Sequence, residues 1–334
     1  MTSINRVFAV ESEGYICAGD AEYVFPSRFG AGLEPIHNMP VRPDDVFVVT
    51  FPRSGTTWSQ EMVWLVANNF DFDKAKTSPL TERYSFLEFP FFQRHDNLKK
   101  LQEEAKTDES KRMLLKEIEM GTTEYLAKAP SPRFIKTHLP LSILPPELLD
   151  TAKVVYVARD PRDVCVSFFH LSRMVAKMSG FCGTFQDYWN LFRGNMQTWT
   201  PFFPHLKEAW EKRHHPNLLF LFYEDMLEDL PSVIRRVAEF LGKPFNDDQL
   251  NSLCEHLQFD KFSKNKAVQL TNLSEAGLLK PGEKFIRKGK AGGWREYFDA
   301  EMTQQAQRWI ADNLRATDLR FPDVTTLRED WVDS

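Results

Sequence analysis

Lys136 and His138, two positions apart in the stretch FIKTHLP, are the pair whose types and spacing best suit catalysis. On an extended chain a spacing of two puts both side chains on the same face. The neighbouring ammonium favours neutral imidazole, the form able to accept a proton. A histidine at a strand end is more often a hydrogen-bonded structural residue, and the adjacent cation is what shifts the balance toward a base. A second constellation lies in FPRSGTTW, residues 51–58. Ser54 and Gly55 can form a turn with outward backbone N–H groups, and Thr56 and Thr57 open the segment that follows. A helix start of this kind binds anions through its free amides and its dipole. A plain strand-to-helix turn would leave the cation at Arg53 unexplained.

Two further basic groups point to the same chemistry. In ARDPRDVCVSFFH, Arg159 precedes Ser167 by eight positions, and a guanidinium fork with a hydroxyl suits a phosphate. An exposed arginine ahead of a helix start made favourable by Asp160, Pro161 and Asp163 would account for the same text. In FIRKGKAGGW, Arg287, Lys288 and Lys290 stand between Gly282 and the pair Gly292 and Gly293, where backbone can approach an anion closely. The bland version of that stretch is a solvated basic loop. A nucleoside-triphosphate loop is the weak rival. Aligning Gly55 with the second glycine of that motif puts Thr50 at the first glycine and Thr56 where the phosphate-gripping lysine belongs. In VVYVARD, Asp160 could close a metal-binding strand, but Pro161 and Arg162 follow at once.

The elements that must position these residues are short apolar runs between helical patterns. Strands are expected at 45–51, 133–138, 153–160 and 218–225, and helices at 56–69, 161–178, 184–194, 201–213, 231–241 and 299–314. Their alternation predicts an α/β fold with a central parallel sheet flanked by helices, and ligands in such sheets sit at the carboxyl ends of the strands. The chain has 334 residues, 42% hydrophobic and 27% charged, enough for an ordinary core, and no linker or repeat divides it. A single domain over 1–334 is expected. Cys17, Cys165, Cys182 and Cys254 lack metal-site spacing and read as reduced thiols, and no apolar run approaches the roughly 20 residues of a membrane span. These features predict a cytoplasmic protein that requires no metal. A net charge of −5 argues against nucleic-acid binding.

Taken together, the motifs resemble the cytosolic sulfotransferases that use 3′-phosphoadenosine 5′-phosphosulfate, and the text is most similar to insect members, including the retinol dehydratase branch. The family's YPKSGTTW matches FPRSGTTW at 51–58, its KTHLP matches 136–140, its Arg and Ser eight apart match Arg159 and Ser167, and its RKGxxGxW matches 287–294. The resemblance covers nearly the whole chain and implies the P-loop-NTPase-like sulfotransferase fold. It implies that Ser54, Gly55, Thr56 and Thr57 hold the 5′-phosphate, and that Arg159, Ser167, Arg287, Lys288 and Gly289 hold the 3′-phosphate. Trp58, Tyr223 and Phe259 would enclose the adenine. His138 would deprotonate the acceptor hydroxyl, while Lys136 and Arg53 stabilise the transferred group and the leaving phosphate.

The resemblance also implies that the acceptor is a small-molecule alcohol or phenol. Phe86, Phe89, Phe91 and Phe92 in YSFLEFPFF, with Phe168 and Phe169, are the expected pocket rings, against the alternative that each is ordinary core. Residues 1–40 would form an N-terminal extension near the acceptor site. The text departs from the family at Arg53 for lysine, at Leu257 for a common threonine and at Gly293 for a common aspartate. The family's homodimer motif, KxxxTVxxxE, is replaced at 295–304 by REYFDAEMTQ, so a homodimer is not carried over. Two other functions are weighed: a dehydratase that sulfonates an allylic alcohol and then eliminates sulfate, and a non-catalytic binder of nucleotide or apolar ligand. The pairing of Lys136 with His138 counts against the binder.

Overall fold

The computed structural model describes residues 14–176, 180–280, 282 and 284–323. Residues 1–13 of the expected N-terminal extension lie outside the described residues.

Among the described residues seven strands run in chain order: β1 (Tyr15–Ala18), β2 (Tyr23–Pro26), β3 (Val46–Thr50), β4 (Ser85–Phe86), β5 (Phe134–Thr137), β6 (Lys153–Ala158) and β7 (Leu218–Phe222). The first two pair as an antiparallel hairpin. The other five form one parallel sheet in the order β4-β5-β3-β6-β7. The four expected strands are all present in this sheet; its fifth strand, β4, and the β1–β2 hairpin were not predicted from the apolar pattern. The two residues of β4, inside an aromatic run, are too few to express a period of two.

The strands read as unbroken apolar runs because both faces of the sheet are covered. Phe47 and Val49 of β3, with Val154 and Tyr156 of β6, join one core cluster. Their alternating neighbours Val46, Val48, Val155 and Val157 join a second cluster on the opposite face. A side chain of this size contributes roughly 1.5–3 kcal/mol when fully buried, so both layers stabilise the sheet. The predicted helices appear at Thr56–Ala67, Pro161–Met174, Phe185–Arg193, Phe202–Glu211, Leu230–Leu241 and Ala300–Leu314. The helix Glu109–Met120 and several shorter ones were not foreseen. The Pro161 helix starts as its residues dictate, with Asp160 accepting from Arg162 N at 2.8 Å and Pro161 in the first turn.

Topology places the chemistry. Immediately after the carboxyl ends of β3, β5, β6 and β7 come Arg53, His138, Arg159 and Tyr223, and all four line one cavity of about 1620 Å³. That exceeds the ~300–1,000 Å³ of a single small-ligand pocket and leaves room for two substrates side by side. Among the described residues, no helix is long and apolar enough to cross a membrane.

Candidate active site

The turn after β3 is shaped to receive an anion. Arg53 takes a φ of 71° and Gly55 a φ of 96°, and the latter caps the Thr56–Ala67 helix with no side chain on its first amides. The first turn also carries no acidic residue. Free N–H groups and the positive end of the helix dipole therefore face the cavity. Glycine is required at 55 by conformation and by space, since a Cβ there would meet Tyr223 Cδ2 at 2.6 Å. The left-handed backbone at Arg53 costs about 1–3 kcal/mol, which the surrounding contacts must hold in place.

Those contacts bind three distant segments together. Arg53 Nε donates to Ser167 Oγ at 3.0 Å and Nη2 donates to the Phe285 carbonyl at 3.0 Å. Arg159 donates to the Arg53 carbonyl at 3.1 Å and to the Lys290 carbonyl at 3.0 Å, with its guanidinium 4.3 Å from the centre of the Tyr223 ring. Burial first, then Arg159 and Arg287, lowers the Arg53 pKa to about 10. So many cations facing each other in a buried space call for an anionic ligand. Within this cluster, Ser54 Oγ and Arg159 Nε are buried with no hydrogen-bond partner. A phosphate oxygen would satisfy each of them.

Asp163 locks the 285–294 loop onto the Pro161 helix. Its Oδ2 accepts from Gly292 N at 2.6 Å and its Oδ1 from Trp294 N at 2.9 Å. The sequence reading treated this carboxylate only as a helix-dipole complement. Gly289, at φ 60°, lies so close to Phe259 that a Cβ would overlap the ring. Trp58 stands edge-on to Tyr223 at 5.7 Å, and its Nε1 donates to the Leu257 carbonyl at 3.0 Å. Trp58, Tyr223 and Phe259 thus line one end of the cavity together. Leu257 contributes its backbone there, which a threonine would also supply. Thr57, Arg287, Lys288 and Gly289 line the same end, although the Lys288 ammonium is engaged by Glu296.

At the middle of the cavity His138 is buried and its Nδ1 lies 2.9 Å from the Thr50 carbonyl oxygen. A carbonyl only accepts, so Nδ1 carries the proton and Nε2 keeps its lone pair for the cavity that His138 lines. Burial, and then the Lys136 charge, push the imidazole well below its ordinary pKa, which keeps it neutral. Lys136 lies 3.9 Å from the centre of the Phe86 ring, and its own pKa is lowered to about 8, by burial first. The carboxylates of Glu88 and Glu117 oppose that shift.

Glu88 is a site residue that sequence reasoning missed. Its two oxygens accept from His138 N at 2.6 Å and from Thr137 Oγ1 at 2.7 Å, so it clamps the backbone that carries the base. Burial raises its pKa to about 7. A lone carboxylate inside the aromatic run YSFLEFPFF was the available signal, because buried acids are rare unless bound to something. His205 was also missed. Its Nε2 donates to the His138 carbonyl at 2.9 Å, while its Nδ1 accepts from Tyr156 Oη at 2.7 Å. Nothing local to His205 marks it, since it sits within an ordinary helix.

The other end of the cavity is aromatic. Phe86, Phe89, Phe92 and Phe168 line it with Trp199 and Leu171. Two of the expected rings are elsewhere. Phe169, one residue along a helix from Phe168, turns away and packs among Phe181, Phe185 and Tyr188. Phe91 stands edge-on to Phe29 at 5.8 Å, over Gly32. Phe169 is buried in the core and Phe91 packs against it. Tyr15, Pro26 and Arg28 from the N-terminal region also line the cavity.

Comparison with known proteins settles the family. The family model described as "Sulfotransferase domain" matches residues 43–318. Luciferin sulfotransferase of Photinus pyralis is 33% identical over 307 residues, covering 90% of this chain and 80% of that protein. Sulfotransferase 1B1 of Canis lupus familiaris is 31% identical over 294 residues, covering 88% and 91%. The crystal structure of retinol dehydratase with androsterone and inactive cofactor PAP superposes with a TM-score of 0.88 at 44% identity, covering 96% of this chain and 95% of that one. The same enzyme with retinol and PAP gives 0.87 at 44% identity. With a parallel sheet delivering Arg53, His138 and Arg159 to one cavity, and a family model spanning most of its length, this chain belongs to the sulfotransferase family.

Proposed function

We propose that the protein moves the sulfuryl group of 3′-phosphoadenosine 5′-phosphosulfate to the hydroxyl of a small apolar or aromatic acceptor, in the cytoplasm. The observation that carries this is His138, neutral and held through Nδ1 by Thr50, placed in the same cavity as Lys136, Arg53 and the free start of the Thr56 helix. The 5′-phosphate fits the amides of residues 54–57, and the 3′-phosphate fits Arg159, Arg287, Lys288 and Gly289, with Ser167 beside Arg53. The adenine fits between Trp58, Tyr223 and Phe259.

In the reaction, His138 Nε2 takes the proton of the acceptor hydroxyl as its oxygen attacks sulfur. The bond from sulfur to the 5′-phosphate oxygen breaks, and the electron pair leaves on that phosphate. Lys136, Arg53 and the helix amides stabilise the charge that develops there. Such transfer depends on positioning and electrostatic preorganisation rather than on a covalent enzyme intermediate. The region from residue 14 to 40 would close the acceptor end, where Tyr15, Pro26 and Arg28 stand.

A second reading is favoured by the 44% identity to retinol dehydratase. An allylic alcohol, once sulfonated, carries a good leaving group, and loss of sulfate together with a proton from the neighbouring carbon framework yields a conjugated product. Sulfonation remains the shared step, because a phenol cannot eliminate without forming an unstabilised aryl cation. Purified protein, donor and a panel of phenols, steroids and retinol, with products identified by mass, test both readings. Sulfate esters from phenols are expected. Conversion of retinol to an anhydro product with no sulfated phenol would make the dehydratase primary, and no donor-dependent product from any acceptor would overturn the proposal.

A further inference from the structure

The aromatic end of the cavity contains two hydrogen-bond donors with nothing to donate to. Gln197 is 3% exposed and lines the cavity, and its amide Nε2 is buried without a partner. Trp199 lines the same wall, and its indole Nε1 is likewise buried without a partner. A purely apolar ligand would leave both unpaired, and an unpaired buried donor is costly.

Their surroundings fix where they stand. The Trp199 ring lies 4.8 Å from Phe92, 5.7 Å from His138 and 5.9 Å from Phe168. Its backbone takes a φ of 70° and is tied to β2, with Trp199 N donating to the Val24 carbonyl at 2.9 Å and Val24 N to the Thr200 carbonyl at 2.8 Å. The Thr200 hydroxyl in turn donates to the Gln197 carbonyl at 2.6 Å and accepts from Gln197 N at 3.2 Å. The segment is held from both sides, which fixes where its donors stand.

From this the geometry points to a polar subsite within the acceptor chamber: Gln197 and Trp199 receive a second oxygen of the acceptor, near its reacting hydroxyl. The acceptor class is then an oxygenated ring alcohol or phenol bearing a lone-pair oxygen, such as an ether or carbonyl, close to the hydroxyl. Amide and indole N–H groups both demand an oxygen that accepts, and the edge contact of Trp199 with His138 limits how far it lies from the reacting centre. This rests on reading the cavity as the site of sulfuryl transfer.

The test compares the ortho-, meta- and para-methoxyphenols with the ethylphenols of the same substitution, which exchange the ether oxygen for a methylene at nearly constant shape. At one position the methoxyphenol should exceed its ethyl counterpart in kcat/KM by about tenfold, as expected when two buried donors gain a partner. Gln197→Met and Trp199→Phe should each reduce that ratio toward one. Because the ratio is taken within a single enzyme, a general loss of activity or of folded protein does not alter it. Wild-type ratios near one at all three positions, or a preference that survives unchanged in both variants, would overturn the subsite. Either result leaves sulfuryl transfer standing, whereas failure of every phenol to be sulfated would remove the activity itself.

Discussion

At one end of the cavity Arg53, Ser167, Arg159 and the backbone at Phe285 and Lys290 are joined by directional bonds. At the other, Phe86, Phe89, Phe92, Phe168 and Trp199 meet through ring contacts, and at the four phenylalanines any ring of similar size would do. Charged ligands are recognised through fixed geometry, since a misplaced buried charge is penalised heavily. Apolar ligands are recognised through shape, which many sequences can supply. The donor end should thus respond to single changes sharply and the acceptor end softly, with the polar residues that connect them in between.

The largest expected effect lies at the junction. His138→Ala should lower kcat by about 10²–10⁴-fold, the usual contribution of a general base, while bisphosphate nucleotide binding stays near wild type. Turnover within a fewfold of wild type would take His138 out of the mechanism. Next comes the donor end, where the 3′-phosphate should matter most. Adenosine 3′,5′-bisphosphate should bind much more tightly than adenosine 5′-phosphate, and Arg159→Ala should narrow that gap by about tenfold to a hundredfold in calorimetry, the worth of charge-assisted hydrogen bonds. Equal affinities in the wild type would refute the donor assignment.

A smaller effect is expected from the clamp behind the base. Lys136, with its pKa lowered to about 8, loses its ammonium as pH rises through that value, and activity should fall with it. The negative charge of Glu88 raises the Lys136 pKa, so Glu88→Gln should move the alkaline fall in kcat/KM to lower pH while an amide keeps the bond to His138 N. An unmoved or upward-shifted alkaline limb would separate Glu88 from Lys136. The smallest contrast is between two adjacent rings. Phe92→Leu should raise the acceptor KM by less than about tenfold, the scale of lost contacts in an apolar pocket. Phe91→Leu should leave KM alone and lower stability by about 1 kcal/mol, since that ring packs on the core. Reversed outcomes, read by kinetics and thermal melting, would mean that the division between pocket and core has been drawn on the wrong residues.

The donor end was legible because its parts are local. A strand, a tight turn and a helix start occupy consecutive residues, and the spacing of two between Lys136 and His138 survives folding because β5 is extended. Each of the four predicted strands also carried its apolar run in plain text. The acceptor end was not legible to the same degree. Phe168 and Phe169 are neighbours of one type, yet only the first reaches the cavity, because a helix turns by about 100° per residue and sequence alone does not say which direction is the pocket.

The amino-acid sequence by itself determined the alternation of strand and helix, the anion-binding turn at 51–58 and the pairing of a base with a cation. Only the tertiary structure decided what stands behind and beside them. His205 supports His138 across 67 residues, Glu88 across 50, and Asp163 reaches 129 residues to fasten the basic loop. Trp199 meets His138 because β2 draws its segment against the cavity. Local propensity fixes the conformation of a few consecutive residues. Contacts between distant segments are set by how the two faces of the sheet are covered, and no short stretch of sequence records that.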